Sequence, residues 1–350
     1  MTIKMGLVSV IKNEERDIAE WLAYHLALGF DRILLYDHRS TDRTASIVRR
    51  FAARFPVEMI GYVYVERWRP FQARPFMEAA KSLAQSCDWI LACDADEFLM
   101  GEAPETFREF LAAQPPEVAQ ICLNWRIFGS GGHERRPEGS LLIETFTKCA
   151  PPNFWSNHHV KSVARPQKIL DCFNAHFFVV NGKTVDVDGN PIKWKDPAKW
   201  SLEGMVESKP KNEKFWINHY FTKSREEWER KIARGYPDML RPADEFHIYD
   251  VACVVEDERA AALAPRVRHV LAGLPQRAQA RRLSQPGRIW HRLRSGLLFI
   301  WWFWRAFGEK ATYRRLAGRV GHKAKVSLRN LGLRARSALR TQAMGQDAQG

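Results

Sequence analysis

Two aspartates one residue apart, Asp94 and Asp96 in the stretch Cys93-Asp94-Ala95-Asp96-Glu97, are the side chains of this sequence best placed for chemistry. In an extended segment alternate residues share a face, so both carboxylates would aim to one side where a strand leaves its sheet. Converging carboxylates suit Mg²⁺ or Mn²⁺, which keep several water or phosphate oxygens among their ligands. An ion held this way acts as a Lewis acid on the charge gathering on a nucleoside diphosphate leaving group. The plainer reading is an acidic strand end that binds nothing. Asp37, following Ile33-Leu34-Leu35-Tyr36, has a separate rationale. A carboxylate at a strand end accepts hydrogen bonds from a ribose or a base N–H. Its alternative is a turn-forming acid before Ser40, and Asp42 suits a helix cap.

These residues need elements to hold them. Gly6–Ile11 is a short apolar run rich in β-branched residues, as a buried strand is. Asn13 offers an N-cap, an apolar stripe runs through Ile18, Trp21, Leu22 and Leu26, and Gly29 offers a left-handed stop. The pattern then predicts a strand at 33–36, a helix striped by Ile47, Val48, Phe51 and Phe55, a strand near 57–65, a helix over 75–85 and a strand at 89–92. Strands alternating with helices predict a doubly wound α/β layer with mostly parallel strands. Ligands in such sheets bind beyond the carboxyl ends of the strands, where Lys12-Asn13-Glu14, Asp37 and Asp94/Asp96 all fall. Beyond residue 105 the order is mixed, with strand-like runs at 121–128, 141–146 and 177–180 and a turn-rich excursion at 181–190. Asp186 and Asp188 in that excursion lack the loop spacing of a calcium site.

The chain has 350 residues, 45% of them apolar, which is enough to bury a substantial core. Its six cysteines form no C-x-x-C pair and no zinc spacing, so they read as buried thiols of a reducing compartment. The opening MTIKMGLVSVIKNEE reads as a first strand rather than an export signal, which implies a cytoplasmic location. The net charge of +14 is concentrated: residues 277–340 hold 17 Lys or Arg against one acid, leaving the rest of the chain near neutral. In that tail an uncharged run, Ser295–Trp304, is flanked by arginines and rich in tryptophan. Ten residues are too few to span a bilayer, so the run suits the headgroup region of an anionic membrane surface. A helix packed on the catalytic body is the competing reading. No nucleic-acid module surrounds the arginines, and no nucleic-acid partner is expected.

The segments KNEE (12–15), YDHRSTDRT (36–44) and CDADEFL (93–99) resemble the nucleotide-binding half of GT-A glycosyltransferases, specifically the family-2-like and family-92-like group of bacterial surface-polysaccharide enzymes. NWRIFGSGGH (124–133), KSVARP (161–166), the segment around His176 and NHYFTKSREEWERKIARG (218–235) extend the likeness over about residues 5–240. The resemblance implies a GT-A-like, Rossmann-like sheet. It implies that Asp37 contacts the donor nucleoside beside Lys12, Asn13 and Glu14, and that Asp94 and Asp96 hold the metal–diphosphate unit. It also implies that His219 completes the metal site and that Lys223, with Lys231 and Arg234, neutralises the diphosphate. Inverting family-2 enzymes supply a base from a Glu-Asp pair after the D-x-D strand; none occurs here between Asp96 and His219. Glu134, after the glycine-rich turn 129–132, is the nominee for that role, with His133, Glu144 and Glu97 as alternatives.

The expectation is therefore an α/β enzyme with a nucleotide-sugar-binding half (1–105), an acceptor-side half (106–255) and a helical basic tail (256–350) on the inner face of the cytoplasmic membrane. It would transfer a sugar, with inversion, from a nucleotide-sugar to a glycan or lipid-linked acceptor in surface polysaccharide synthesis. A nucleotidyltransferase with a similar metal site and a non-catalytic membrane-associated binding protein are the rivals. The first would ordinarily show a glycine-rich loop after the first strand, which SVIKNEE lacks.

Overall fold

Alternation of side chains along the first strands decides the architecture. The computed structural model describes residues 2–64, 71–195, 204–235 and 244–275. In chain order they form β1 (Met5–Ile11), α1 (Ile18–Ala27), β2 (Arg32–Asp37), α2 (Thr44–Ala52), β3 (Val57–Gly61), α3 (Ala73–Leu83), β4 (Trp89–Ala92) and β5 (Glu97–Gly101). There follow α4 (Phe107–Ala112), β6 (Val118–Phe128), α5 (Leu142–Thr145), β7 (Lys148–Cys149), β8 (Val160–Ala164), β9 (Ile169–Cys172), β10 (Phe178–Val180) and β11 (Lys183–Val185). The described part ends with β12 (Phe215–Tyr220), α6 (Arg225–Arg234), α7 (Glu245–Asp250), β13 (Val255–Glu256) and α8 (Ala264–Ala272).

Leu7, Ile33, Leu35, Trp89 and Leu91 enter one buried cluster, with Trp21 and Leu22 of α1 and Val48 and Phe51 of α2. Their neighbours Val8, Leu34, Tyr36 and Ile90 enter another, with Phe76, Ala80 and Leu83 of α3. Period-two alternation thus sends successive residues to opposite faces, and helices cover both, as a doubly wound layer requires. Each fully buried leucine or phenylalanine contributes about 1.5–3 kcal/mol to holding these layers. Strands β3, β2, β1 and β4 are mutually parallel and aligned at their carboxyl ends, with Ile11 opposite Asp37. Beyond β4 the sheet turns mixed: β8 runs antiparallel between β4 and β6, while β12 lies parallel to β6 and antiparallel to β5.

Three expectations change. Helix α1 begins at Ile18 instead of next to Asn13, which leaves residues 12–17 as a loop. The 141–146 run, read as a strand, contains α5, because its first N–H groups, from Leu142 and Ile143, donate to the buried carboxylate of Glu20 at 2.6 and 3.0 Å. A boundary at 256 comes too early, since α8 packs against α1 and Val267 is fully buried. The basic tail from 276 onward, including the tryptophan-rich run, lies outside the described residues. Among the described residues all six cysteines are free and buried, and no helix is long and apolar enough to cross a membrane.

Candidate active site

Past Ile11 the chain enters a loop shaped by Asn13, which holds a left-handed φ of 54°. Its N–H donates to Ser40 Oγ at 2.9 Å, and its Oδ1 accepts from the Thr41 N–H at 2.8 Å. The Glu14 N–H donates to Thr44 Oγ1 at 2.8 Å and the Glu15 N–H to Asp42 Oδ2 at 3.1 Å. The loops after β1 and β2 are thereby knitted into one rim. Arg39, at the end of β2, is also left-handed. Strained non-glycine backbone of this kind is retained where surrounding structure over-determines it, often at functional sites. Asp42 additionally accepts from the Thr44 N–H, the first of α2, at 2.9 Å, from one residue ahead of the cap position at Arg43. The Asp37 carboxylate accepts from the Ser40 N–H at 3.3 Å and so makes the turn, its alternative reading.

Asp94 and Asp96 do not lie in an extended segment. The Glu97 N–H donates to the Asp94 carbonyl at 3.0 Å, closing a tight turn between β4 and β5. The same-face argument fails there, and each carboxylate finds its own partner. Asp94 accepts from Lys161 of β8 at 2.8 Å, and that buried ammonium also stands 3.3 Å from Glu97. Asp96 accepts from Lys231 of α6 at 2.8 Å and faces His219 Nε2 of β12 at 3.6 Å. His219 Nδ1 in turn stands 3.8 Å from Glu97 Oε1. The groups form one file: Asp94, Lys161, Glu97, His219, Asp96, Lys231. Burial opposes ionisation of Asp96, but Lys231 and His219 outweigh it and hold the carboxyl well below its usual range. Burial lowers the His219 imidazole pKa, against the pull of Asp96. Burial raises Glu97 above the carboxylate range.

The fit to a divalent cation is therefore partial. Asp96 Oδ1 and His219 Nε2 face each other at a distance too long for a hydrogen bond, and carboxylate oxygen and imidazole nitrogen are both donor types that Mn²⁺ accepts. Asp94 does not complete a triad with them: among the described residues no three His, Cys, Asp or Glu side chains gather as a metal cluster.

A cavity of about 430 Å³ opens between the β1 loop and α6, bordered by Asn13, Glu14, Asp96, Lys223, Lys231 and Arg234 among others. Helix α6 is built to present these cations. Ser224 caps it, its Oγ accepting from the Glu227 N–H at 3.3 Å, and Trp228 anchors it in the core. Lys231 and Arg234, three apart, share the face toward the strand ends. Arg234 donates to the Lys12 carbonyl at 2.7 Å and pairs with Glu14. Burial raises the Glu14 carboxyl while Arg234 and Lys223 oppose it. Lys223, left-handed at φ 56°, pairs with buried Asp17. Lys12 contributes its carbonyl to the rim, but neither it nor Asp37 borders the cavity.

Glu134 does not reach this cavity. It is exposed, and its backbone carbonyl instead accepts from the Glu226 N–H at 3.0 Å at the start of α6. The structure adds residues that local pattern did not single out. The side chain of Arg136, two residues past Glu134, is buried against Asp17 at 2.6 Å and Glu227 at 2.9 Å. No local signal marks it, because its partners lie far along the chain. Lys161 stood in a quoted segment without a role, and only the fold brings it to Asp94.

The family model of Glycosyltransferase family 92 matches residues 9–232. A glycosyltransferase family 92 protein of Oryza sativa subsp. japonica is 25% identical over 168 residues, 47% of this chain and 27% of the relative. The match thus spans well under half of that relative's length. Among solved structures, S. aureus TarS 1-349 in complex with UDP-GlcNAc aligns at 17% identity with a TM-score of 0.32, covering 47% of this chain and 46% of that one. Glucosyl-3-phosphoglycerate synthase from Mycobacterium tuberculosis, in complex with Mn²⁺, UDP and glucosyl-3-phosphoglycerate, aligns at 14% identity with a TM-score of 0.29, covering 53% and 70%.

Proposed function

The chain belongs to glycosyltransferase family 92, and from that premise we propose that it moves a sugar from a nucleoside diphosphate-sugar to a hydroxyl of a glycan or lipid-linked acceptor. The observation that carries this reading is the convergence of Lys223, Lys231 and Arg234 with Asp96 on one cavity at the carboxyl ends of parallel strands. Cations fixed around such a cavity stabilise the charge that builds on a departing diphosphate, and preorganised charge is the strongest lever on that step. Asn13 and Glu14 border the nucleoside end. Lys223, pinned by Asp17, and Lys231, seated over the Phe221 ring at 4.8 Å, meet the phosphate oxygens.

A divalent ion, Mn²⁺ or Mg²⁺, would be held by Asp96 and His219, the neutral imidazole favouring Mn²⁺. Bound there, it adds Lewis-acid neutralisation of the diphosphate. Asp94, engaged by Lys161, braces the turn that aims Asp96. Displacement at the anomeric carbon proceeds with inversion in this reading, in service of a surface polysaccharide and beside a membrane.

Incubation with a panel of nucleotide-sugars tests the proposal. Metal-stimulated release of nucleoside diphosphate and free sugar, with rise of the melting temperature for one donor, supports a transferase. Pyrophosphate release from a nucleoside triphosphate supplied with a sugar 1-phosphate instead would make the chain a nucleotidyltransferase, and no turnover of either substrate set would leave a binding protein.

A further inference from the structure

Three cavities share borders in succession. The transfer cavity and a larger one of about 610 Å³ have Glu15, Arg16 and Arg230 in common. The larger one shares Ala19, Arg43 and Leu271 with a third, of about 410 Å³, between α1, α2 and α8. A ligand that reaches from the first to the third crosses the second, and binding of the donor uses neither of these two.

The second cavity is rich in arginine. Arg16 from the β1 loop, Arg135 from the turn after β6 and Arg230 of α6 meet the single carboxylate of Glu226, at 3.2, 3.9 and 2.9 Å. Arg43 pairs with Glu15 at 3.0 Å, and Glu138 adds one exposed acid. Arg136 and Glu20, also on the border, are engaged by buried Asp17 and by the first N–H groups of α5. With Arg50 of the third cavity, five arginines thus stand against three acids on the open walls. Guanidinium groups that share one carboxylate repel one another until a further anion joins them, and their planar forks match phosphate oxygens.

The third cavity changes character. Ala19, Ile47, Leu271 and Leu274, all partly exposed, floor it beside Arg43 and Arg50, and among the described residues none that borders it is acidic. An anion alone needs no apolar floor, and an uncharged glycan needs no arginine cluster. A phosphate bearing a hydrocarbon chain uses both, in that order. The approach comes from the same end: Arg50 Nε donates to the Pro275 carbonyl at 2.9 Å, and the basic tail follows Leu274 within three residues. A segment of that composition is drawn to anionic lipid. We infer that the second and third cavities hold a lipid-linked phosphate, its charge on Arg16, Arg135 and Arg230, its hydrocarbon chain over Ile47, Leu271 and Leu274, and its sugar hydroxyl in the transfer cavity. This rests on the transferase reading and narrows the acceptor from glycans in general to a lipid-linked one.

The test titrates the full chain with farnesyl diphosphate, farnesol and inorganic pyrophosphate, and separately with vesicles of phosphatidylcholine and anionic phosphatidylglycerol. Farnesyl diphosphate should bind about tenfold or more tightly than either fragment, because charge-assisted hydrogen bonds and the apolar floor both contribute. The Arg43 and Arg135 side chains are 81% and 82% exposed, so replacing them should not disturb folding. The double variant Arg43→Glu/Arg135→Glu should weaken both farnesyl diphosphate and pyrophosphate by about tenfold or more. Leu274→Ser should weaken farnesyl diphosphate and spare pyrophosphate. Vesicles should bind wild type and the double variant alike, through the tail. Farnesyl diphosphate bound no better than pyrophosphate, its unchanged affinity in the double variant, or loss of vesicle binding there, which would make the arginines a general lipid-surface patch, overturns the site. Donor hydrolysis without acceptor is measured alongside, and its persistence after such a failure leaves the transferase reading standing.

Discussion

Arg136 and Asp17 meet at 2.6 Å with neither side chain more than 7% exposed, and that pair joins the turn after β6 to the start of α1. Asp17 also pairs with Lys223, and Arg136 reaches Glu227 at 2.9 Å and Glu20 at 3.9 Å. A buried ion network therefore sits behind the cation that faces the proposed diphosphate. Removing one member of a buried pair leaves the others charged and unpaired, which costs about 3–5 kcal/mol. Arg136→Ala should lower unfolding free energy by that order in urea titrations. A change of less than about 0.5 kcal/mol, typical of an exposed turn, would contradict the buried placement.

The two aspartates of the D-x-D turn should separate in their effects. Asp96→Ala removes the group facing His219 and Lys231 and should cut donor turnover by about 10²-fold or more, with a melting temperature near that of wild type. Asp94→Ala strips a partner from the buried Lys161 and should register chiefly as lost stability. Equal losses of turnover with unchanged melting in both variants would return the pair to a shared metal-binding role. Chelation followed by Mn²⁺ addition should restore wild-type turnover but not that of His219→Ala.

His25 offers a pH test away from the site. It is fully buried, its Nδ1 donating to the Trp21 carbonyl at 2.9 Å, and burial pushes its pKa down to about 4. An unfolded histidine takes its proton near pH 6.5. Between those values the unfolded chain binds the extra proton, so this group's contribution is complete above pH 6.5 and drains away as pH falls toward 4. The loss amounts to about 3 kcal/mol. Comparing unfolding free energies of wild type and His25→Gln from pH 7 to 4.5 checks it: the gap should narrow on acidification, and a constant gap refutes the assignment.

The basic tail carries the membrane part of the reading. Deleting residues 288–350 should abolish sedimentation with liposomes containing anionic lipid, and added salt should weaken binding of the full chain. Undiminished binding of the truncated chain would place the contact elsewhere.

Much of this protein was readable from local pattern. Short continuous apolar runs at 6–11, 33–36 and 89–92 and the helical stripes between those runs specify a sheet covered on both faces, and chain neighbours suffice to encode them. The polar strand ends pointed to one edge of that sheet, and Asn13, Glu14 and Asp96 from those ends border one cavity there, together with Lys223, which the family resemblance had named. Side-chain direction and ion pairing were not encoded locally. A single backbone hydrogen bond turns Asp94 away from the extended geometry, and Lys161, 67 residues on, claims its carboxylate. Arg136 is 119 residues from Asp17, and its burial depends on four segments meeting. Charge partnership falls off within ångströms in space and is indifferent to separation along the chain, so only the tertiary structure could choose which acids stay open to a ligand and which are held by lysine or arginine.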